Sequence, residues 1–228
     1  KVRGANVSMP HKQNIIPYLD EISTASRLCN AVNTITFKDG KYYGTITDGI
    51  GFTRSLEEQG WLIKDKKITM VGAGGASTAI MVQLALDGVK EIIVYNRTMR
   101  TEFQEIINNT IIETGCTITL KSLSDLESLK KDMHSSYLFI NTTGVGMEPM
   151  LERSVVPDAS YFKPDLKVAD IIYQPAVTKM LRLAKEAGCA TMNGELMLLY
   201  QGVESFKIWT GQEMPINEVK KVLGIEVK

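Results

Sequence analysis

Between residues 66 and 98 the chain reads KKITMVGAGGASTAIMVQLALDGVKEIIVYNRT: a β-rich run, a glycine-rich turn, an apolar helical stretch stopped by Gly88, and a second β-rich run. A hairpin needs only a few connecting residues. A helix-length connection between two strands instead implies a parallel crossover, with helices covering the sheet. The alternation continues. TEFQEIINNTIIETG reads as a helix, TITLKS as a strand, LSDLESLKKDM as a helix, YLFINTT and VADIIY as strands, and VTKMLRLAKEAG as a helix. Residues 54–193 are therefore expected to form one α/β domain, a doubly wound parallel sheet.

The two ends read differently. At the amino-terminal end, residues 1–53 contain a strand over Ala5–Met9, Pro10 at the first turn of a helix, helical character around Ile15–Ile22, and a tight hairpin at KDG in AVNTITFKDGKYYGTITD. Residues 194–228 turn helical, with ELMLLYQGVESFKIWTG and then INEVKKVLG behind Pro215. These outer pieces are expected to pack together as a smaller α/β domain, with the cleft between the two domains as the ligand site.

Composition excludes several classes of function. Twenty-six basic residues balance 26 acidic ones in 228, for a net charge of zero, so a nucleic-acid or anionic-membrane surface over the whole chain is not expected. No apolar run approaches the roughly 18 residues of a membrane span. Cys29, Cys116 and Cys189 are odd in number and far apart, which points to free thiols in a reducing cytoplasm. His11 and His134 are isolated, so no metal site is expected.

The turn VGAGGAS places Gly72, Gly74 and Gly75 between strand and helix, where backbone can approach a pyrophosphate and the helix's free N–H groups can hold it. Ser77 stands where G-x-G-x-x-G has its third glycine. The next strand ends in Asn96, Arg97 and Thr98, with Arg100 close behind and no carboxylate before Glu102. An acidic residue there would bind the ribose 2′-hydroxyl of NAD, whereas arginine suits the 2′-phosphate of NADP.

GANVSMPHK, AVNT, TDGIGF, VGAGGAS, NRT, NTTGVGM, IIYQP and GELMLLYQG occur in this order along nearly the whole chain. Together they make it resemble the shikimate dehydrogenase family, including its quinate/shikimate branch. The resemblance implies a Rossmann NAD(P)-binding domain beside a smaller substrate domain. It also implies an oxidoreductase that interconverts 3-dehydroshikimate and shikimate, and in some members quinate, in aromatic amino acid biosynthesis. By resemblance Lys12 and Asp48 are catalytic, and Ser8, Asn33, Tyr173 and Gln201 meet the substrate. Gly72, Ala73, Gly74, Gly75 and Ala76 take the pyrophosphate, Asn96, Arg97 and Thr98 lie at the adenosine ribose, and Ile171 and Gly194 lie near the nicotinamide. The partners implied are small molecules, with the protein a monomer or homodimer.

Those residue types suit the chemistry. Oxidising a secondary alcohol requires its hydroxyl proton to leave, and a lysine and a carboxylate sharing that hydroxyl act as one proton-transferring unit. Taken alone, Asp48 also reads as the N-cap of the helix that DGIGF begins. Met147 and Met197 read as core fillers.

Two departures from the family pattern bear on function. The segment that precedes GANV in the family, with its strand and carboxylate-binding serines, is absent from this sequence. The expectation is an amino-terminally truncated chain that exposes a sheet edge, binds cofactor and turns over poorly. NADP-specific members also carry a second arginine four places after the first, and Thr101 holds that position here. The cofactor therefore stays open between NADP and NAD. A dehydrogenase for a different small hydroxy acid and an NAD(P)-binding regulatory module are the alternatives.

Overall fold

The strands assemble into two sheets in the computed structural model, which describes residues 2–226; residue 1 of the first expected domain and residues 227 and 228 of the last lie outside the described residues. The smaller sheet contains β1 (Gly4–Asn6), β2 (Glu21–Ile22), β3 (Thr34–Lys38) and β4 (Lys41–Thr45), in the order β1-β3-β4-β2. β3 pairs antiparallel with both β1 and β4, turning at Asp39–Gly40, and β2 joins β4 in parallel.

The larger sheet is wholly parallel. Its strands are β5 (Lys67–Val71), β6 (Glu91–Asn96), β7 (Thr117–Ser122), β8 (Leu138–Asn141), β9 (Lys167–Asp170) and β10 (Ala190–Met192), in the order β10-β9-β8-β5-β6-β7. That order reverses between β5 and β8, and such a switch point opens a crevice at the strands' carboxyl ends. Val71 lies opposite both Tyr95 and Asn141, so the turns after β5, β6 and β8 emerge side by side.

Eight α-helices cover the sheets among the described residues: α1 (Thr24–Cys29), α2 (Asp48–Glu58), α3 (Gly75–Leu86), α4 (Thr101–Thr114), α5 (Leu126–Ser135), α6 (Lys179–Glu186), α7 (Glu195–Thr210) and α8 (Ile216–Leu223). On one face of the large sheet, Ile80, Leu84, Phe103 and Ile107 of α3 and α4 pack on Ile68, Met70, Ile92 and Val94. On the other, Leu129, Met133, Met180 and Leu181 of α5 and α6 pack on Phe139, Val168 and Tyr95. α3 is apolar nearly all round because it is enclosed between the sheet and α2. α2 packs on both α3 and α7, and it crosses residue 53, where the sequence suggested a boundary.

Four local expectations change. The opening strand is shorter, Gly4–Asn6, and the chain turns from Met9 instead of entering a helix at Pro10. The segment around Ile15–Ile22 is not a helix: Ile16–Tyr18 makes one 3-10 turn, and Glu21–Ile22 becomes β2. Pro17 supplies no N–H to continue a helix, and pairing with β4 satisfies the backbone instead. The true helix, α1, follows, with the Ser23 side chain accepting from Ser26 N. Asp48 is not a capping residue: Thr47 holds the N-cap position without a side-chain cap bond, and Asp48 is the first helical residue.

Candidate functional site

Helix α2 begins with an acidic residue, and the turn after β1 contains a basic one. The two meet. Lys12 Nζ donates to Asp48 Oδ2 at 2.6 Å, with the side chains 26% and 11% exposed. A carboxylate in the first turn of a helix faces its positive end, which favours the charge. Val32 N donates to Lys12 O at 2.8 Å and pins the turn.

Asn33, buried, orients this corner. Its Oδ1 accepts from Thr47 N (2.9 Å) and Thr34 Oγ1 (3.0 Å), and its Nδ2 donates to Thr47 Oγ1 at 3.1 Å. One Nδ2 hydrogen is left over after those bonds. Thr34 Oγ1 also meets Ser205 Oγ at 3.0 Å, and Asn6 Nδ2 donates to Ser205 Oγ at 3.2 Å, tying β1 and β3 to α7. Gln201 lies one turn earlier on α7, half-buried, with its carbonyl accepting from Ser205 Oγ. Asn6, Thr34, Thr47 and Ser205 were not legible as site residues, since each does its work through a partner distant in sequence.

Ser8 and Lys12 line a cavity of about 1160 Å³ whose far wall is Ala73–Ala76. A second cavity of about 850 Å³ runs from Gly72–Gly74 to Asn96, Arg97 and Leu123. A third, about 740 Å³, is bounded by Thr143, Met147, Ile171 and Tyr173. Thr142 lines all three, so they form one trough along the switch point.

The floor of the trough fits a dinucleotide. Gly72 has φ +119, and a Cβ there would press on Thr142 Oγ1 at 2.5 Å, so only glycine keeps the turn flat. Ser77 Oγ donates to Gly72 O at 2.5 Å and braces it from behind. The first N–H groups of α3 face the same space, an anion site by construction. Asn96 Nδ2 donates to Thr98 O at 2.7 Å and closes the turn that carries Arg97.

At the other end Gly194 N donates to Ile172 O at 3.1 Å, and a Cβ on Gly194 would overlap Ile171 O. The loop after β9 and the start of α7 are thus clasped together. Tyr173 is 48% exposed on that wall. Met147, expected in the core, is 44% exposed there too, whereas Met197 is buried as expected. β8 ends in a strongly turned segment, which carries Met147 out of the core.

Two buried groups near the trough have displaced acidities. Burial, then the charge of Asp48, pushes the Cys29 thiol up to about 12, so it stays protonated and is not a nucleophile. Burial also raises Asp170 to about 6, against donated bonds from Thr178 Oγ1, Ile172 N and Asn141 Nδ2. Among the described residues no group of three or more His, Cys, Asp or Glu could hold a metal, and no helix is long and apolar enough to cross a membrane.

The chain is similar to known proteins. Three family models match: the shikimate dehydrogenase substrate binding domain over residues 1–35, shikimate / quinate 5-dehydrogenase over 55–173, and the shikimate 5′-dehydrogenase C-terminal domain over 194–223. Shikimate dehydrogenase (NADP(+)) of Listeria innocua is 46% identical over 226 residues, covering 97% of this chain and 77% of its own length. The enzyme of the same name from Streptococcus uberis is 47% identical over 227 residues, with coverage of 97% and 77%. The crystal structure of shikimate 5-dehydrogenase from Listeria monocytogenes in complex with shikimate and NAD superposes with a TM-score of 0.94 at 46% identity, covering 97% of this chain and 78% of that one.

Proposed function

The chain belongs to the shikimate dehydrogenase family, and on that premise we propose how its residues divide the work of interconverting 3-dehydroshikimate and shikimate with a nicotinamide cofactor. Residues 54–193 bind the dinucleotide, and residues 1–53 with 194–228 hold the substrate. The observation that carries the reading is the 2.6 Å Lys12–Asp48 pair, with Lys12 lining a cavity that the glycine turn also lines.

A bound nicotinamide dinucleotide, NADP or NAD, supplies hydride to the ketone or takes it from the alcohol. Everything else falls to the chain. In the reductive direction Lys12 polarises the substrate carbonyl and then delivers the proton to its oxygen; in the oxidative direction Lys12 and Asp48 together accept the hydroxyl proton. Asn33, held rigid by Thr47 and Thr34, offers its remaining Nδ2 hydrogen to a ring hydroxyl. Ser8, Tyr173 and Gln201 complete the substrate wall. Gly72–Ala76 take the pyrophosphate, and Asn96, Arg97 and Thr98 lie at the adenosine ribose. Ile171, held by the Gly194 clasp, would offer an apolar side chain to the nicotinamide.

The three thiols are free and buried, which suits a reducing compartment, and we place the enzyme in the cytoplasm as a monomer or homodimer. The test follows the absorbance of reduced nicotinamide with shikimate and then quinate, each with NADP+ and NAD+. Turnover of shikimate is the expected result. Cofactor binding without oxidation of either alcohol would favour a regulatory module.

A further inference from the structure

The cavity at the adenosine end contains more positive charge than the glycine turn requires. Arg97 and Arg100 enter it after β6, Arg153 comes from the long loop after β8, and Lys179 is the first residue of α6. None of these four side chains makes a hydrogen bond or ion pair within the described chain. The one carboxylate on the lining, Glu152, is held by Arg182 at 2.8 Å. Cations lining one cavity without a counter-ion repel one another, and an anionic ligand relieves that repulsion.

Charge decides which ligand. The pyrophosphate of either dinucleotide carries about two negative charges and is already met by the amino end of α3, with a half-charge of about +0.5. A 2′-phosphate adds about −1.5 to −2. NAD would leave much of the wall unneutralised, whereas NADP matches it. The arginine expected four places after Arg97 is replaced by Thr101, and Arg100 also lines the Lys12 cavity, so the two arginines after β6 are not arranged as a dedicated pair.

Resting on the dehydrogenase reading above, we propose that Arg153 and Lys179, which line the same cavity as Arg97 and Arg100, hold the 2′-phosphate and set a preference for NADP(H) over NAD(H). Two sites far apart in sequence thereby do what one motif does where the second arginine is in place.

The test uses the whole chain with Arg153→Gln, Lys179→Gln and the double variant. Expected is a fall of about tenfold in kcat/KM for NADP+ with each single substitution, and no more than about twofold for NAD+. Adenosine 2′,5′-bisphosphate, titrated calorimetrically, should bind more tightly than AMP, and the double variant should erase that difference. Equal losses for both cofactors would mean a pyrophosphate clamp and overturn the proposal, as would unchanged NADP+ kinetics. The bisphosphate titration separates this inference from the reading beneath it. A chain that discriminates the 2′-phosphate through Arg153 and Lys179 yet oxidises no shikimate would refute the proposed reaction and uphold the inference.

Discussion

The two sheets are built on opposite principles. Every strand of the large sheet but its two outer ones, β7 and β10, is buried on both faces, with Ile68, Met70, Ile92, Val94, Phe139 and Val168 all enclosed by helices. The small sheet has an open side, where the Phe37 and Tyr42 rings meet tilted at 5.1 Å between centroids and remain 46% and 50% exposed. The first holds its own shape through apolar burial. The second is held from beneath, by the Asn6–Thr34–Ser205 bonds to α7 and by α1 against β4. On the proposed division of work, cofactor binding rests on the self-supporting half, while proton transfer depends on a corner tied together by polar bonds between distant segments.

The largest test of that contrast is Lys12→Ala. It should lower kcat by about 10³-fold while leaving NADP+ affinity within about threefold, because the dinucleotide floor belongs to the other sheet. Retention of more than about a tenth of the rate would remove Lys12 from the proton path.

Next is Phe139→Ala, in the middle of the large sheet. Loss of a fully enclosed ring should cost about 3–5 kcal/mol in urea unfolding and take cofactor binding with it. A cost below about 1 kcal/mol would mean that the large sheet is not the stable half.

Asp170 sharpens the comparison through pH. Its folded value, raised to about 6, means that the native state binds the proton more tightly than the unfolded chain does. Its contribution to stability is therefore complete below about pH 4 and is lost as pH rises through about 6, a change of up to about 3 kcal/mol. Asp170→Asn should flatten that slope. An unchanged slope would assign it to other groups.

The smallest effect is expected on the open side of the small sheet, where Tyr42→Ser should change stability by no more than about 1 kcal/mol. A larger loss would mean that the exposed ring pair supports the sheet after all.

Much of this was legible beforehand because it is local. The strand–glycine–helix unit at 67–86, the helix closed by Gly115 and the hairpin at KDG are each specified by neighbours in sequence. The three-residue β10 was not read, since so short a run has too little periodicity to stand out. Nor was β2, a strand only because β4 lies beside it. Asp48 showed in the sequence as a helix start, but its freedom from capping depended on Thr47 taking the N-cap position.

By itself, then, the sequence determined the parallel architecture and the glycine turn, because crossover length, apolar periodicity and backbone freedom act within a few residues of one another. Only the tertiary structure decided that Lys12 meets Asp48 across 36 positions, that Ser205 holds β1 and β3, and that Arg153 and Lys179 line the cavity with Arg97. Those meetings depend on where helices come to rest on the sheets, and that placement is set by the packing of the whole core.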